Sequence, residues 1–199
     1  MEPIMEPTEK PFLVSSLEHV NLFLQNIPFY NPPCFYGYRY AIQKELLYFG
    51  DLTDTDQEQE EYHSMRIWRT KSLFDWWVEE QSNRTFIGAL DYVINDDHIK
   101  CKYFSINDIT ELGYGFYVSD ITLTDEEISK LSKSFISHLK IVAQKENKAK
   151  IIVDVHNNLR FFEKHFEYEG FRITKRKSPS CHPFYVEAEL LLQQDYCVK

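Results

Sequence analysis

An α+β fold built on one mixed, mostly antiparallel sheet flanked by helices is expected for this chain, and three stretches carry that expectation. Between Met65 and Leu123, apolar and aromatic runs alternate with turn residues, the pattern of an antiparallel meander. At Thr124 the period changes to that of an amphipathic helix. Lys150–Val155 (Lys-Ile-Ile-Val-Asp-Val) then supplies a short buried strand. Strand, helix and apolar strand in succession predict one parallel crossover, which gives the otherwise antiparallel sheet its α/β character.

Met1–Pro11 reads as a flexible leader, and residues 12–199 as a single domain. Within it, 12–64 form a helical and loop part and 65–192 the core sheet with its helices. Ser15–Gln25 is a short helix capped by Ser15 or Ser16, with Leu17, Val20, Leu22 and Leu24 as its apolar positions. Asn26–Tyr40 is a loop, because Pro28, Pro32 and Pro33 exclude a regular helix or a central strand. Gly50–Glu61 is acidic and polar, a solvated loop or a surface helix. Leu73–Glu79 and Thr85–Ile94 form a hairpin across Gln81-Ser82-Asn83-Arg84, and Asn95-Asp96-Asp97 turns the chain into His98–Ile106. Gly115–Leu123 is a further strand.

Thr124-Asp125-Glu126-Glu127 is a capping box, in which a hydroxyl and a carboxylate three residues apart satisfy each other's backbone N–H groups. Ile128, Leu131, Phe135, Leu139 and Val142 follow at helical spacing, so 125–146 is one helix. Asn158–Glu169 is a second, stopped by Gly170. Phe171–Lys177 and Phe184–Leu192 are the last two strands.

A chain of 199 residues has room for one full core and not for two ordinary ones. With 22 basic and 31 acidic residues the formal charge is −9, so the surface repels phosphate backbones and general nucleic-acid binding is not expected. A cationic or neutral small acceptor is compatible. No apolar run approaches the ~20 residues of a membrane helix, and the N-terminus lacks the basic start and apolar stretch of a signal peptide. Cys34, Cys101, Cys181 and Cys197 are scattered, with no Cys-x-x-Cys pair, which suits a reducing compartment and predicts a cytoplasmic protein, or a nuclear one in a host cell. The histidines include no pair at metal-ligand spacing with a third partner, and no metal is expected.

Three stretches together resemble the GNAT superfamily of N-acetyltransferases over roughly residues 65–192. Trp76-Trp77-Val78-Glu79-Glu80 with Thr85-Phe86-Ile87-Gly88-Ala89-Leu90 looks like the family's second and third strands. Tyr117–Leu123 and the helix after it occupy the place of the acetyl-CoA-binding motif. Ile151–Asn158, Phe161-Phe162-Glu163-Lys164 and Gly170-Phe171 resemble the closing motif, with an Asn ending the fifth strand. The resemblance implies an acyl-CoA N-acyltransferase-like fold and acetyl-CoA as co-substrate, with a small-molecule or peptide amine as acceptor. It also implies cofactor contacts from Ile121 and Leu123 on the strand, Ser129, Lys130, Leu131 and Ser132 at the helix start, and Asn157 at the end of the fifth strand.

Where the family has an Arg-Gly-x-Gly type run for the pyrophosphate, this chain has Glu126-Glu127-Ile128-Ser129-Lys130-Leu131-Ser132, with no glycine and no arginine. The same helix start is equally a capped structural one. The family's usual acid, a tyrosine before the Glu-Lys pair, is replaced by Phe162; Tyr168 is either packing or a displaced acid. Asp120, in an otherwise apolar strand, is either a structural carboxylate or a general base whose pKa burial would raise. Asp154 has a similar claim. The aromatics Phe29, Tyr30, Phe35, Tyr36, Tyr38 and Tyr40 are an acceptor wall or a loop packed on the sheet. His138 faces solvent or fills a packing gap. A catalytically inactive binding or assembly module on the same fold is the alternative function.

Overall fold

The computed structural model describes residues 11–31, 39–49, 60–70, 84–106, 123–156, 166–177 and 185–192. Its elements are β1 (Phe12–Val14), α1 (Leu17–Leu24), β2 (Tyr40–Phe49), β3 (Glu60–Thr70), β4 (Arg84–Ile94), β5 (His98–Ile106), α2 (Asp125–Lys145), β6 (Lys150–His156), β7 (Arg172–Lys177) and β8 (Tyr185–Leu191). The strands make one sheet in the order β1-β2-β3-β4-β5-β6-β8-β7. Every neighbouring pair is antiparallel except β5 and β6, which run parallel. The expected mixed, mostly antiparallel sheet with one crossover is therefore present.

Three expectations change. Residues 12–64 are not only helix and loop, because β2 pairs with β3 along its whole length, from Tyr40↔Arg69 to Phe49↔Glu60. Charged and amide residues such as Gln43, Lys44 and Glu45 hide the strand pattern, but the pairing satisfies their backbone groups while Ala41 and Ile42 are buried. Second, both sides of β4 are taken by β3 and β5, so the hairpin partner of Thr85–Ile94 is β3; residues 73–79 lie outside the described residues. Third, the parallel neighbour of β6 among the described residues is β5; residues 115–122 of the strand expected before the helix lie outside the described residues. The crossover starts from His98–Ile106, whose buried Ile99 and Cys101 match Ile151 and Val153 across the pair.

The helices lie on one face of the sheet and pack on each other. Val20 and Leu24 of α1, and Leu131, Phe135, Ile136, Leu139 and Ala143 of α2, are buried in one cluster with Ile42, Met65, Ile67, Leu90, Ile99, Ile151 and Val153 of the sheet. The helix–helix contact contains a buried polar knot. Ser134 Oγ lies 2.9 Å from Asn21 Oδ1 and 3.0 Å from Lys130 O, donating its one proton to either, and accepts from Gln25 Nε2 at 3.1 Å. These bonds link polar side chains of both helices, so the knot helps to fix how α1 and α2 sit. On strand neighbours β3 and β4, Arg66 and Asp91 form a two-pronged ion pair at 2.5 and 2.8 Å.

Helix ends are set by local chemistry. α1 starts at Ser16, whose hydroxyl accepts from His19 N. Both helices end with an asparagine in the left-handed region, Asn26 at φ 55° and Asn147 at φ 54°. In each, the two following amides turn back: Ile27 N→Leu22 O and Asn26 N→Phe23 O, then Lys148 N→Ala143 O and Asn147 N→Gln144 O. This is the paired-bond Schellman ending. Gly170, at φ 95°, closes a third, with Phe171 N→Phe166 O and Gly170 N→Glu167 O. A Cβ there would also come within 3.3 Å of Leu190 Cδ1. The stop expected at Gly170 is thus observed; residues 158–165 of the helix expected before it lie outside the described residues.

Candidate functional site

The sheet opens between its two parallel strands. Pairing of β5 with β6 runs from His98↔Lys150 to Cys101↔Val153 and stops there. Both strands continue, β5 for five residues and β6 for three, each bound on its far side to β4 or β8. The cause is visible in the β4–β5 ladder. Tyr92 pairs with Cys101 and Asp91 with Tyr103, so Lys102 is an extra residue on β5. A bulge bends its strand and increases the local twist. The bend falls where β5 leaves β6, and the ladder between these two strands ends at Cys101↔Val153. Crevices at the carboxyl ends of strands, where the chain order reverses, are the ligand sites of open α/β sheets.

α2 begins at this end of the crevice. Its other end is fixed to the β4–β5 turn, where Ala149 N donates to Asp97 O and Lys148 Nζ to Asp96 O. At 1.5 Å per residue its first turn stands about 30 Å from there, beside the carboxyl ends of β5 and β6. The capping box is complete. Glu127 N donates to Thr124 Oγ1 at 3.2 Å, while the Glu127 carboxylate accepts from Thr124 N at 2.8 Å and from Thr124 Oγ1 at 3.0 Å. Glu126 and Lys130 close an ion pair at 2.9 Å. The hydrogen bond from Lys130, then its charge, holds the Glu126 carboxyl below the usual carboxylate range, and the same bond raises Lys130. Thr124→Ala is expected to destabilise the fold by about 1 kcal/mol through loss of this cap, measured as the shift of a urea midpoint; an unchanged midpoint would show the cap to be dispensable.

These groups test two parts of an acyl-CoA molecule. A pantetheine arm, with its two amides, fits the β5 edge as an added strand would. A diphosphate does not fit the start of α2, because the anion position is already filled by the Glu127 carboxylate and flanked by Asp125 and Glu126.

Each residue expected at a site can now be placed. Asp120, Ile121 and Asn157 lie outside the described residues. Leu123 is buried just before the cap, outside any strand. Ser129 is half-buried on α2. Lys130 is exposed with its ammonium on Glu126. Leu131 is fully buried in the core, so its side chain does not reach a ligand. Ser132 is fully buried too, its hydroxyl donated to Ile128 O at 2.7 Å. Tyr168 is 79% exposed and stands under the Lys133 ammonium, 5.4 Å from its ring centre. Water has open access to that phenol. Asp154 lies on β6 opposite Glu187 of β8 in register. Phe29 stacks on His19 at 4.9 Å and meets Phe12 edge-on, which makes the loop there a packed one, while Tyr30 is exposed.

One polar group was readable only as a gap-filler. His138 sits on the apolar stripe of α2, with Nδ1 3.3 Å from Leu24 O and Nε2 3.4 Å from Tyr92 OH. A carbonyl only accepts, so the proton is assigned to Nδ1 and Nε2 accepts from the phenol. Burial pushes the imidazole down to about 4, assisted by the Lys44 charge, and pushes Tyr92 up to about 12. His63 stacks on Tyr92 with ring centres 5.1 Å apart, and burial lowers it as well. His138 at helical spacing from Phe135 and Val142 was the one signal; its partner Tyr92 is 46 residues away. Among the described residues no group of His, Cys, Asp and Glu could hold a metal ion, and no helix is long and apolar enough to cross a membrane.

No protein-family model matches the sequence, and no curated protein matches it. Among solved structures the chain is similar to a domain from Methanocaldococcus jannaschii, at 16% identity and a TM-score of 0.39, covering 66% of this chain and 67% of that one. It is similar to IAA acetyltransferase from Bacillus cereus, at 11% identity and a TM-score of 0.40, covering 66% and 78%. It is also similar to a GNAT family acetyltransferase from Elizabethkingia anophelis with acetyl-CoA bound, at 10% identity and a TM-score of 0.40, covering 77% and 99%.

Proposed function

We propose that this chain is an acyltransferase of the GNAT type, moving an acetyl group from acetyl-CoA to the amine of a small molecule or peptide. The observation that supports it is the crevice between β5 and β6, opened by the bulge at Lys102 and edged by the peptide groups of 102–106. In the overall reaction the amine nitrogen bonds to the acyl carbon, the carbon–sulfur bond breaks, and the thiol leaves with the proton the amine gives up. The chain's own contributions in this reading are the β5 edge, which orients the arm, and Asp120 or a water as proton acceptor. The scattered thiols of the sequence accord with a cytoplasmic location.

A second reading is favoured by the start of α2. Its first turn carries three carboxylates and its cap is internally satisfied, the arrangement of a structural helix end. A non-catalytic binding or assembly module on this fold would need nothing more. Thermal denaturation separates the two. A ligand at 100 times its dissociation constant stabilises the folded state by about 2.7 kcal/mol, a rise in Tm of about 5–10 °C for a chain of this size. Such a rise with acetyl-CoA is the expected result. An unmoved transition with acetyl-CoA and with pantetheine would sink the transferase reading and leave the module.

A further inference from the structure

The end of the β5–β6 ladder opposite the crevice is closed by the turn Asn95–His98. Its backbone demands little: Asn95 N donates to His98 O at 2.9 Å, and neither Asp96 nor Asp97 has a left-handed backbone. A turn of this kind accepts most residues, so its geometry does not account for the carboxylate of Asp97. That carboxylate has one oxygen on each strand. Oδ1 accepts from His98 Nδ1 at 2.5 Å, and Oδ2 lies 3.4 Å from Lys150 Nζ. His98 and Lys150 face each other in the first rung of the ladder. Asn95 Nδ2 stands 3.0 Å from His98 Nε2, which assigns the imidazole proton to Nδ1, directed at Asp97. The backbone adds to this clamp. Ala149 N donates to Asp97 O at 3.2 Å, and Ala149 O accepts at 2.9 Å from Leu192 N, just past β8. The His98 bond above all, with Lys150 behind it, holds the Asp97 carboxyl below its ordinary range, so the clamp is charged at neutral pH.

Each of these contacts lies near the surface and is modest taken alone. Position gives them reach. Four rungs, from His98↔Lys150 to Cys101↔Val153, join β5 to β6. Beyond them, at about 3.3 Å per residue, positions 102 to 106 lie about 13–26 Å along β5 from the clamp. A small tilt at the first rung becomes a displacement on the order of 1 Å at the open end, enough to disturb a bound reactant. Resting on the transferase reading, we infer that Asp97 is a positioning residue for that reaction, acting through His98 and Lys150 to set the spacing of β5 and β6 around the thioester donor. It touches neither donor nor acceptor.

Asp97→Ala and Asp97→Glu in the full chain test the idea. Hydrogen exchange at neutral pH is followed at the amides of the β5–β6 ladder, 99–101 and 151–153, with the β2–β3 ladder as internal control. Asp97→Ala is expected to speed exchange between β5 and β6 by about threefold or more and to leave β2–β3 exchange as in the native chain. Isothermal titration with acetyl-CoA should show binding weakened by about threefold or more in Asp97→Ala. Asp97→Glu keeps a carboxylate and should return both readings toward those of the native chain. Exchange that rises alike in both ladders would mean that Asp97 serves stability in general, and overturns the inference. So does an unchanged β5–β6 ladder, or a loosened one with native affinity for acetyl-CoA. Those outcomes leave the transferase reading in place, since the native chain still binds acetyl-CoA. A native chain that binds no acetyl-CoA removes that reading and this inference with it.

Discussion

Phe135→Ala is expected to lower the stability of the fold by about 3–5 kcal/mol, the range for removing a fully buried phenylalanine. Phe135 is completely buried on α2, and its ring meets Phe104 of β5 edge-on, with centroids 5.4 Å apart. Phe104 in turn meets Phe166 at 4.8 Å, and Phe166 meets Phe171 at 5.3 Å. Truncation removes apolar transfer energy and leaves a void at the head of a chain of rings that joins α2, β5 and the turn before β7. The close-packed ring of Phe104, held in turn by Phe166, limits how far the void can collapse, which favours the upper part of the range. Urea denaturation measures the loss as a lower midpoint at unchanged slope. A loss under about 1 kcal/mol would mean that the rings rearrange to fill the space.

Acid should weaken the fold through His138. In the folded chain burial keeps the imidazole neutral down to about 4, against an ordinary value of 6.5. Below 6.5 the unfolded chain takes up this proton first, so stability rises with pH across the interval. The contribution is complete above 6.5 and is lost as the pH falls to about 4, and 6.5 − 4 = 2.5 units corresponds to about 3 kcal/mol. His63 is shifted in the same direction by its own burial and adds to the slope. His138→Gln keeps hydrogen-bonding atoms in place without a titrating group. Unfolding free energies measured for both proteins between about pH 7 and about pH 4 should fall by about 3 kcal/mol more in the native chain than in the variant. Equal losses in both would show that protonation of His138 is accommodated without opening the contact with Leu24 and Tyr92.

What could be read in advance follows the range of the forces involved. Thr124 and Glu127 are three residues apart, and the cap they form was legible because both partners and the helix they start are local. The same holds for Gly170, whose left-handed backbone ends its turn, and for the apolar run of β6. β2 and most of β3 were hidden because backbone pairing between two segments that are distant in sequence holds Gln43–Phe49 against Glu60–Arg66 in the sheet. Neither strand shows a clean alternation to declare it. The neighbour of β6 is a choice between distant segments, and no local pattern distinguishes His98–Ile106 from Gly115–Leu123 in that contest. The crevice was the least legible feature of all. It is made of backbone, and the residue at its bulge, Lys102, is an ordinary lysine at which the β4–β5 register shifts.

The four-rung ladder from His98 to Cys101 has a mechanical meaning. Among the described residues it is the strand pairing between two plates, one of β1 to β5 and the other of β6, β8 and β7. The β2–β3, β3–β4, β4–β5, β6–β8 and β7–β8 ladders are all longer, so bending concentrates at the seam, with α2 as a strut across it. A guest that hydrogen-bonds along 102–106 lengthens the stitching. The protein would then sense an occupant as a gain in rigidity between its halves, before any chemistry takes place.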